Sequence, residues 1–138
     1  MLPLKIFGLL APCVLAIDLL WLGVVAKGFY AQEMGDLLRK NGETLAPRWG
    51  AALLVYLLIP LGVVLFVRPH LDEKSTVWQA LGWGAIFGLV VYGVYDLTCL
   101  AVMEKYTLKL TIADMAWGAV LCGGSAVLMQ RIERWLVG

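Results

Sequence analysis

Four long apolar stretches, at about Ile6–Ala26, Trp49–Val67, Val77–Met103 and Thr111–Met129, alternate with short polar connections. At about 1.5 Å per residue, each is long enough to cross the ~30 Å hydrocarbon layer of a bilayer. The third exceeds that need, so its first turn lies in the interface or the helix tilts. Lipid offers no partners to backbone N–H and C=O groups, so a spanning segment satisfies them internally, as a helix or within a closed barrel. The Gly and Ala content and the lack of alternating ten-residue segments argue against a barrel. The expected fold is all-α: an integral membrane four-helix bundle in one domain over 1–138, with both termini on the same side.

The connections refine this outline. Lys27–Arg48 is the longest, and Phe29, Met34, Leu37 and Leu38 within it predict a short surface helix over about 29–41. Asn41-Gly42 is its expected stop, because Gly is a natural C-cap. Pro69–Thr76 carries His70, Asp72, Glu73 and Lys74, and Glu104–Leu110 is a tight turn. Trp49, Trp78 and Trp135 fall at helix ends, where indole rings favour the membrane interface. The N-terminal apolar run continues to Ala26 with Asp18 inside it, longer than the ~7–15 residues of a signal-peptide core, and is read as a retained helix.

Composition supports the same class. Of 138 residues, 62% are apolar and 15% charged, against about half and a quarter in soluble domains. A chain this small has too little interior to hide the excess, so lipid covers it. The Lys and Arg residues divide almost evenly. Five lie on the side of the termini (Lys5, Arg68, Lys74, Arg131, Arg134) and six on the other (Lys27, Arg39, Lys40, Arg48, Lys105, Lys109). Their bias therefore does not set an orientation. Net charge is +1 with no long basic run, so nucleic acid is not an expected partner.

The informative polar residues are Asp18, Asp96 and Asp114. An aspartate near the centre of a membrane helix costs about 2.5–3.5 kcal/mol on insertion scales, so three of them call for compensation. Such residues face a bundle interior, find partners and mark function. Measured along each helix toward the end holding the first and third connections, Asp18 lies ~13 Å below Lys27, Asp96 ~12 Å below Glu104 and Asp114 ~7 Å below Lys109. All three fall in the same half. Carboxylates gathered at one depth repel, so at least one would retain a proton.

Neighbouring residues extend the candidate site. Tyr92, Asp96, Cys99 and Met103 share one face of the third helix, where Tyr92 is placed to donate to Asp96. Thr111, Asp114, Gly118, Cys122 and Ser125 form a small, polar stripe on the fourth, and Gly84-x-x-x-Gly88 permits close approach on the third. Trp21 and Trp117 each follow an aspartate by three positions. The expected ligand or proton site comprises Asp18, Asp96, Asp114, Tyr92, Tyr95, Thr98, Trp21 and Trp117, with Cys99 and Arg48 secondary. The competing expectation is structural: the acids tie helices together or pair with Lys27, Arg48 or Lys109 as those side chains reach inward.

No motif names a reaction. The single histidine, His70, excludes a bis-histidine haem or His-rich zinc site within one chain, and P-loop, dinucleotide and Gly-x-Ser-x-Gly signatures are missing. Cys13, Cys99 and Cys122 lie in apolar runs without a CxxC pair and read as free thiols. No metal or cofactor is expected.

The segments Asp18-Leu-Leu-Trp21-Leu-Gly23, Tyr92-Gly-Val-Tyr95-Asp96-Leu97-Thr98 and Asp114-Met-Ala-Trp117-Gly118 resemble the hallmark motifs of domain of unknown function 2177 (DUF2177). The resemblance also takes in Phe29-Tyr30 and Pro47-Arg48-Trp49. In that family's pattern Asn commonly stands where this chain has Cys99. The resemblance implies a small four-helix protein of the bacterial inner membrane and supplies no activity. The function expected from the residues is an intramembrane acidic pocket that binds or permeates a small solute, proton or lipid-soluble ligand, with permeation calling for a homo-oligomer. The alternatives are a small membrane enzyme acting on a lipid or isoprenoid and an accessory protein binding a partner helix.

Overall fold

Every long helix of the protein has a face that water would not tolerate. In the computed structural model, which describes residues 1–41 and 44–138, four segments are long and apolar enough to cross a membrane: Leu2–Val25, Trp49–His70, Val77–Val102 and Leu108–Val137. Leu53, Leu54, Leu58, Phe66, Val90 and Val94 are among the large apolar residues left exposed. An apolar surface this extensive belongs against lipid.

Helix α1 is Leu2–Leu20, with Pro3 in its first turn, where a missing N–H removes no helical bond. Its buried stripe is Ile6, Leu10, Val14 and Asp18, at a spacing of four. The aspartate is thus the last residue of the face that α1 turns inward. The helix then loosens into a wider turn, Trp21–Val25, whose closing bond runs from Ala26 N–H to the Trp21 carbonyl at 2.7 Å. Such i→i+5 turns shift side chains around the axis and recur at functional sites.

A short helix, α2, follows at Lys27–Met34. It starts two residues before the expected surface helix and stops well before Asn41. Gly35 ends it, taking a φ of +45° that a side chain would resist. Asn41 instead belongs to a two-residue antiparallel pairing of β1, Lys40–Asn41, with β2, Thr44–Leu45; Gly42 lies outside the described residues. Helix α3 is Trp49–Gly62, extended by a second wide turn at Val63–Val67 and a tight turn at Arg68–His70.

Helix α4, Val77–Val102, begins with a reciprocal cap. Gln79 N–H donates to the Thr76 hydroxyl at 3.2 Å, and Thr76 N–H donates to Gln79 Oε1 at 2.8 Å. Helix α5, Leu108–Val137, is capped by Thr107 and outruns the expected apolar stretch at both ends. Its last turns are polar, which hid them from a hydropathy argument, and they are held by specific bonds. Arg68 donates to Glu133 at 2.7 Å, Gln130 to the Ser75 carbonyl at 2.9 Å, and Arg134 to the same carbonyl at 2.7 Å.

The closest packing is between α4 and α5. A Cβ on Gly88 would run into the Gly118 carbonyl, and one on Gly118 would run into the Tyr92 ring. Small residues let the backbones meet, as in many membrane helix pairs. Ile6, Leu10, Val14, Val63, Val67, Leu121 and Met129 fill the half of the bundle nearer Arg68. A smaller cluster of Ala26, Tyr30, Tyr106 and Leu110 closes the opposite end. Trp49, Trp78 and Trp135 stand exposed at helix ends.

Candidate functional site

The three aspartates come together as a pair and a neighbour rather than as a triad. Asp96 of α4 is fully buried, and Tyr106, from the turn before α5, donates its hydroxyl to Asp96 Oδ1 at 2.6 Å. Asp114 of α5 lies beside Asp96 and accepts the Tyr30 hydroxyl at 2.6 Å. Tyr30 in turn accepts from Trp21 Nε1 at 3.3 Å. Asp18 of α1 is also buried, accepts from Trp117 Nε1 at 2.8 Å and is faced by the Tyr56 hydroxyl of α3. The Trp21 and Trp117 rings stack at 4.3 Å, tilted by 5°, and so join the two groups.

Neutral donors from aromatic side chains therefore meet each acid. The cations expected as partners are engaged elsewhere or stand apart: Lys109 lies 3.5 Å from Glu33, and Lys27 and Arg48 are exposed at the starts of α2 and α3. Burial first, and then the carboxylate each one bonds, push the Tyr30 and Tyr106 phenols well above the ordinary tyrosine range. Both remain protonated, and the direction of their hydrogen bonds is fixed.

One atom is left over. Asp96 Oδ2 is buried and has no hydrogen-bond donor among the described residues, although buried carboxylate oxygens in folded proteins are almost always paired. Its neighbour is the carboxyl group of Asp114. Among the described residues, no three of His, Cys, Asp and Glu group closely enough to hold a metal ion.

The remaining sequence candidates scatter around this core. Tyr92 packs on Gly118 with Asp18 and Asp114 nearby, whereas the phenol that reaches Asp96 belongs to Tyr106. Tyr95 is more than half exposed, and its hydroxyl is directed at Cys99 one turn on. Thr98 is on the outer face and donates to its own helix at Val94 O, 2.5 Å away, so it does not join the cluster. Cys99 packs beside the Tyr106 cluster.

Tyr30, Tyr106 and Tyr56 were not among the sequence candidates. Tyr30 and Tyr106 lie in connections, where helical spacing carries no information. The signal available was indirect: a buried acid needs a donor, and tyrosines flanking the spans could supply one.

Two cavities adjoin the pair, and both are lined by Asp114 and Tyr95. One, of about 430 Å³, lies under α2, with Lys27, Lys40, Tyr30 and Tyr106 on its walls. The other, of about 640 Å³, is an apolar slot between α3 and α4, bounded by Val55, Leu58, Phe66, Phe87 and Val91.

Fold and surface together define a multi-helix membrane protein. The family model described as a predicted membrane protein (DUF2177) matches residues 3–130, nearly the whole chain. The protein belongs to that family. No curated protein and no solved structure matches it.

Proposed function

We propose that the protein binds a lipid-soluble ligand at an acidic site inside the bilayer, with Asp114 as the contact residue and Asp96 as its paired acid. One observation carries the reading. Asp114 is only partly buried and lines two cavities, while the acid behind it keeps an oxygen without a donor among the described residues. Acids used only to join helices are sealed on both sides, and a half-open one beside an orphan acceptor is arranged to receive a donor. Asp18, Trp21 and Trp117 hold the neighbouring wall, and the membrane is the bacterial inner membrane.

Binding is favoured over permeation because the core around Ile6, Leu10, Val63 and Met129 fills the interior toward Arg68. A route across would need further copies of the chain. The test is to purify the protein in mild detergent and identify what it retains by mass spectrometry. The parent protein is expected to carry a defined lipid, lost from Asp114→Asn and reduced in Asp96→Asn, with the near-ultraviolet signal of the Trp21–Trp117 pair intact. The same lipid complement on parent and Asp114→Asn would overturn the reading.

A further inference from the structure

We infer that the ligand is a single-chain amphiphile with a free hydroxyl beside an anionic head, the chemistry of a monoacyl glycerophospholipid. The inference rests on the reading of Asp114 as a binding residue and adds the class of ligand. It follows from the order in which the surfaces meet a molecule lying along the bundle.

Farthest from the Tyr106 end is the slot between α3 and α4. These helices touch near Phe66 and Phe87, whose rings stack at 6.3 Å, and near Gly62, which the Phe87 ring abuts. Beyond that contact lies the 640 Å³ slot, within the range of about 300–1,000 Å³ usual for ligand sites. From Phe87 to Tyr95 it runs ~12 Å at 1.5 Å per residue, close to the ~15 Å thickness of one leaflet's hydrocarbon. Val55, Leu58 and Val91 on its walls are exposed, so a chain can slide in sideways from lipid. The slot takes one chain, and it is apolar until it reaches Tyr92, Tyr95 and Asp114.

At that point Asp114 offers acceptance, beside the phenols of Tyr92 and Tyr95. Asp114 Oδ1 already has the Tyr30 hydroxyl, and Asp96 Oδ2 behind it has no donor among the described residues. A ligand group that meets Asp114 must donate, as a hydroxyl does; an ester or a phosphate against that carboxylate would set oxygen against oxygen. Past Asp114 the second cavity, of about 430 Å³, leads under α2 to Lys27 and Lys40. Their ammonium groups complement a phosphate at the depth where headgroups lie. Chain, hydroxyl and anion thus follow one another in the order of a monoacyl glycerophosphate.

Lysophosphatidic acid is the simplest probe. Its binding to the full-length protein in maltoside micelles can be followed by native mass spectrometry and tryptophan fluorescence, beside three analogues. These are the 2-deoxy compound, the monoacylglycerol and the diacyl phosphatidic acid. Saturable binding is expected, about tenfold weaker for the 2-deoxy analogue because its hydrogen bond to Asp114 is lost. Lys27→Ala/Lys40→Ala should lower affinity to that of the monoacylglycerol and leave the monoacylglycerol unaffected. Val91→Trp should block all of them, and Val55→Trp repeats the test from the opposite wall should Val91→Trp lose its fold. Equal affinity for the 2-deoxy or diacyl compounds, or unchanged binding in a folded slot variant, overturns the inference. Were Asp114→Asn still to lose the lipid retained by the parent, the acidic site would stand and only the class of ligand would fall. If Asp114→Asn retained that lipid too, both would fall.

Discussion

Tyr106→Phe removes one oxygen atom and tests how the buried pair is held. Tyr106 is 6% exposed, Asp96 is 0% exposed, and their bond is 2.6 Å long. In soluble proteins a hydrogen bond to a charged group contributes about 1.5–3 kcal/mol. Measured bonds between membrane helices average ~0.6 kcal/mol and reach ~1.7 kcal/mol, because the unfolded chain in the bilayer also finds partners. The upper part of that membrane range applies here. Among the described residues Asp96 Oδ2 has no donor, so losing Tyr106 strips the acid of the only one it has there. A loss of about 1.5 kcal/mol is expected, roughly tenfold in the folding equilibrium. The assay is unfolding in mixed detergent micelles followed by circular dichroism, run as a double-mutant cycle with Asp96→Leu. With the acceptor gone, Tyr106→Phe should change stability by no more than ~0.5 kcal/mol, leaving a coupling of about 1 kcal/mol. Equal effects in both backgrounds would refute the claim that this bond supports the acid.

Other expectations follow from the same geometry. Gly88→Ala, whose Cβ would meet the Gly118 carbonyl, should destabilise by about 1–3 kcal/mol as overpacking does. Gly124→Ala, with open space around it, should be neutral or slightly stabilising in the same assay. The Trp21–Trp117 stack should give an exciton couplet in the far-ultraviolet circular dichroism spectrum, where the strong indole transition lies, that disappears in either Trp21→Phe or Trp117→Phe and is insensitive to Trp78→Phe. The raised phenols of Tyr30 and Tyr106 hold their protons more tightly folded than unfolded. Their contribution is complete below the unfolded value of about 10 and declines as pH rises past it, so Tyr30→Phe/Tyr106→Phe should flatten the alkaline loss of stability. Reporter fusions to the two termini should read the same side of the membrane, as four crossings require; opposite readings would remove one crossing.

The helices were legible because lipid makes a simple demand. Apolar length alone located α3 and α4 almost to the residue, and the cost of a buried acid singled out Asp18, Asp96 and Asp114. Other features depend on contacts that no period records. The last turns of α5 are polar and persist because Ser75 and Arg68 bind them. The surface helix stops at Gly35 rather than Asn41-Gly42 because chain geometry decided between two possible caps. Tyr106 reaches Asp96 from a turn ten residues away, while Tyr92, on the same helical face as Asp96, turns toward Gly118. Face sharing brought the right residues to one side of the helix and chose the wrong phenol.

What separates a site from structural glue is how unevenly the bundle is built. In the half near Arg68, glycines bring α4 and α5 into backbone contact and aliphatic side chains fill the interior. In the other half, α1 and α2 meet through a widened turn and the acids have aromatic donors. If the acids served only to hold helices together, they would do most good where packing is poorest and would be closed over. Asp18 and Asp96 are closed over. Asp114 is not: it stands between two cavities, with its donor Tyr30 carried on a short helix outside the spans. Under the proposed reading, the two sealed acids form the wall behind the open one, which is the acid a ligand would meet. The decisive contrast is therefore within the set. Asp96→Asn and Asp18→Asn should alter stability as much as binding, whereas Asp114→Asn should alter binding out of proportion to stability.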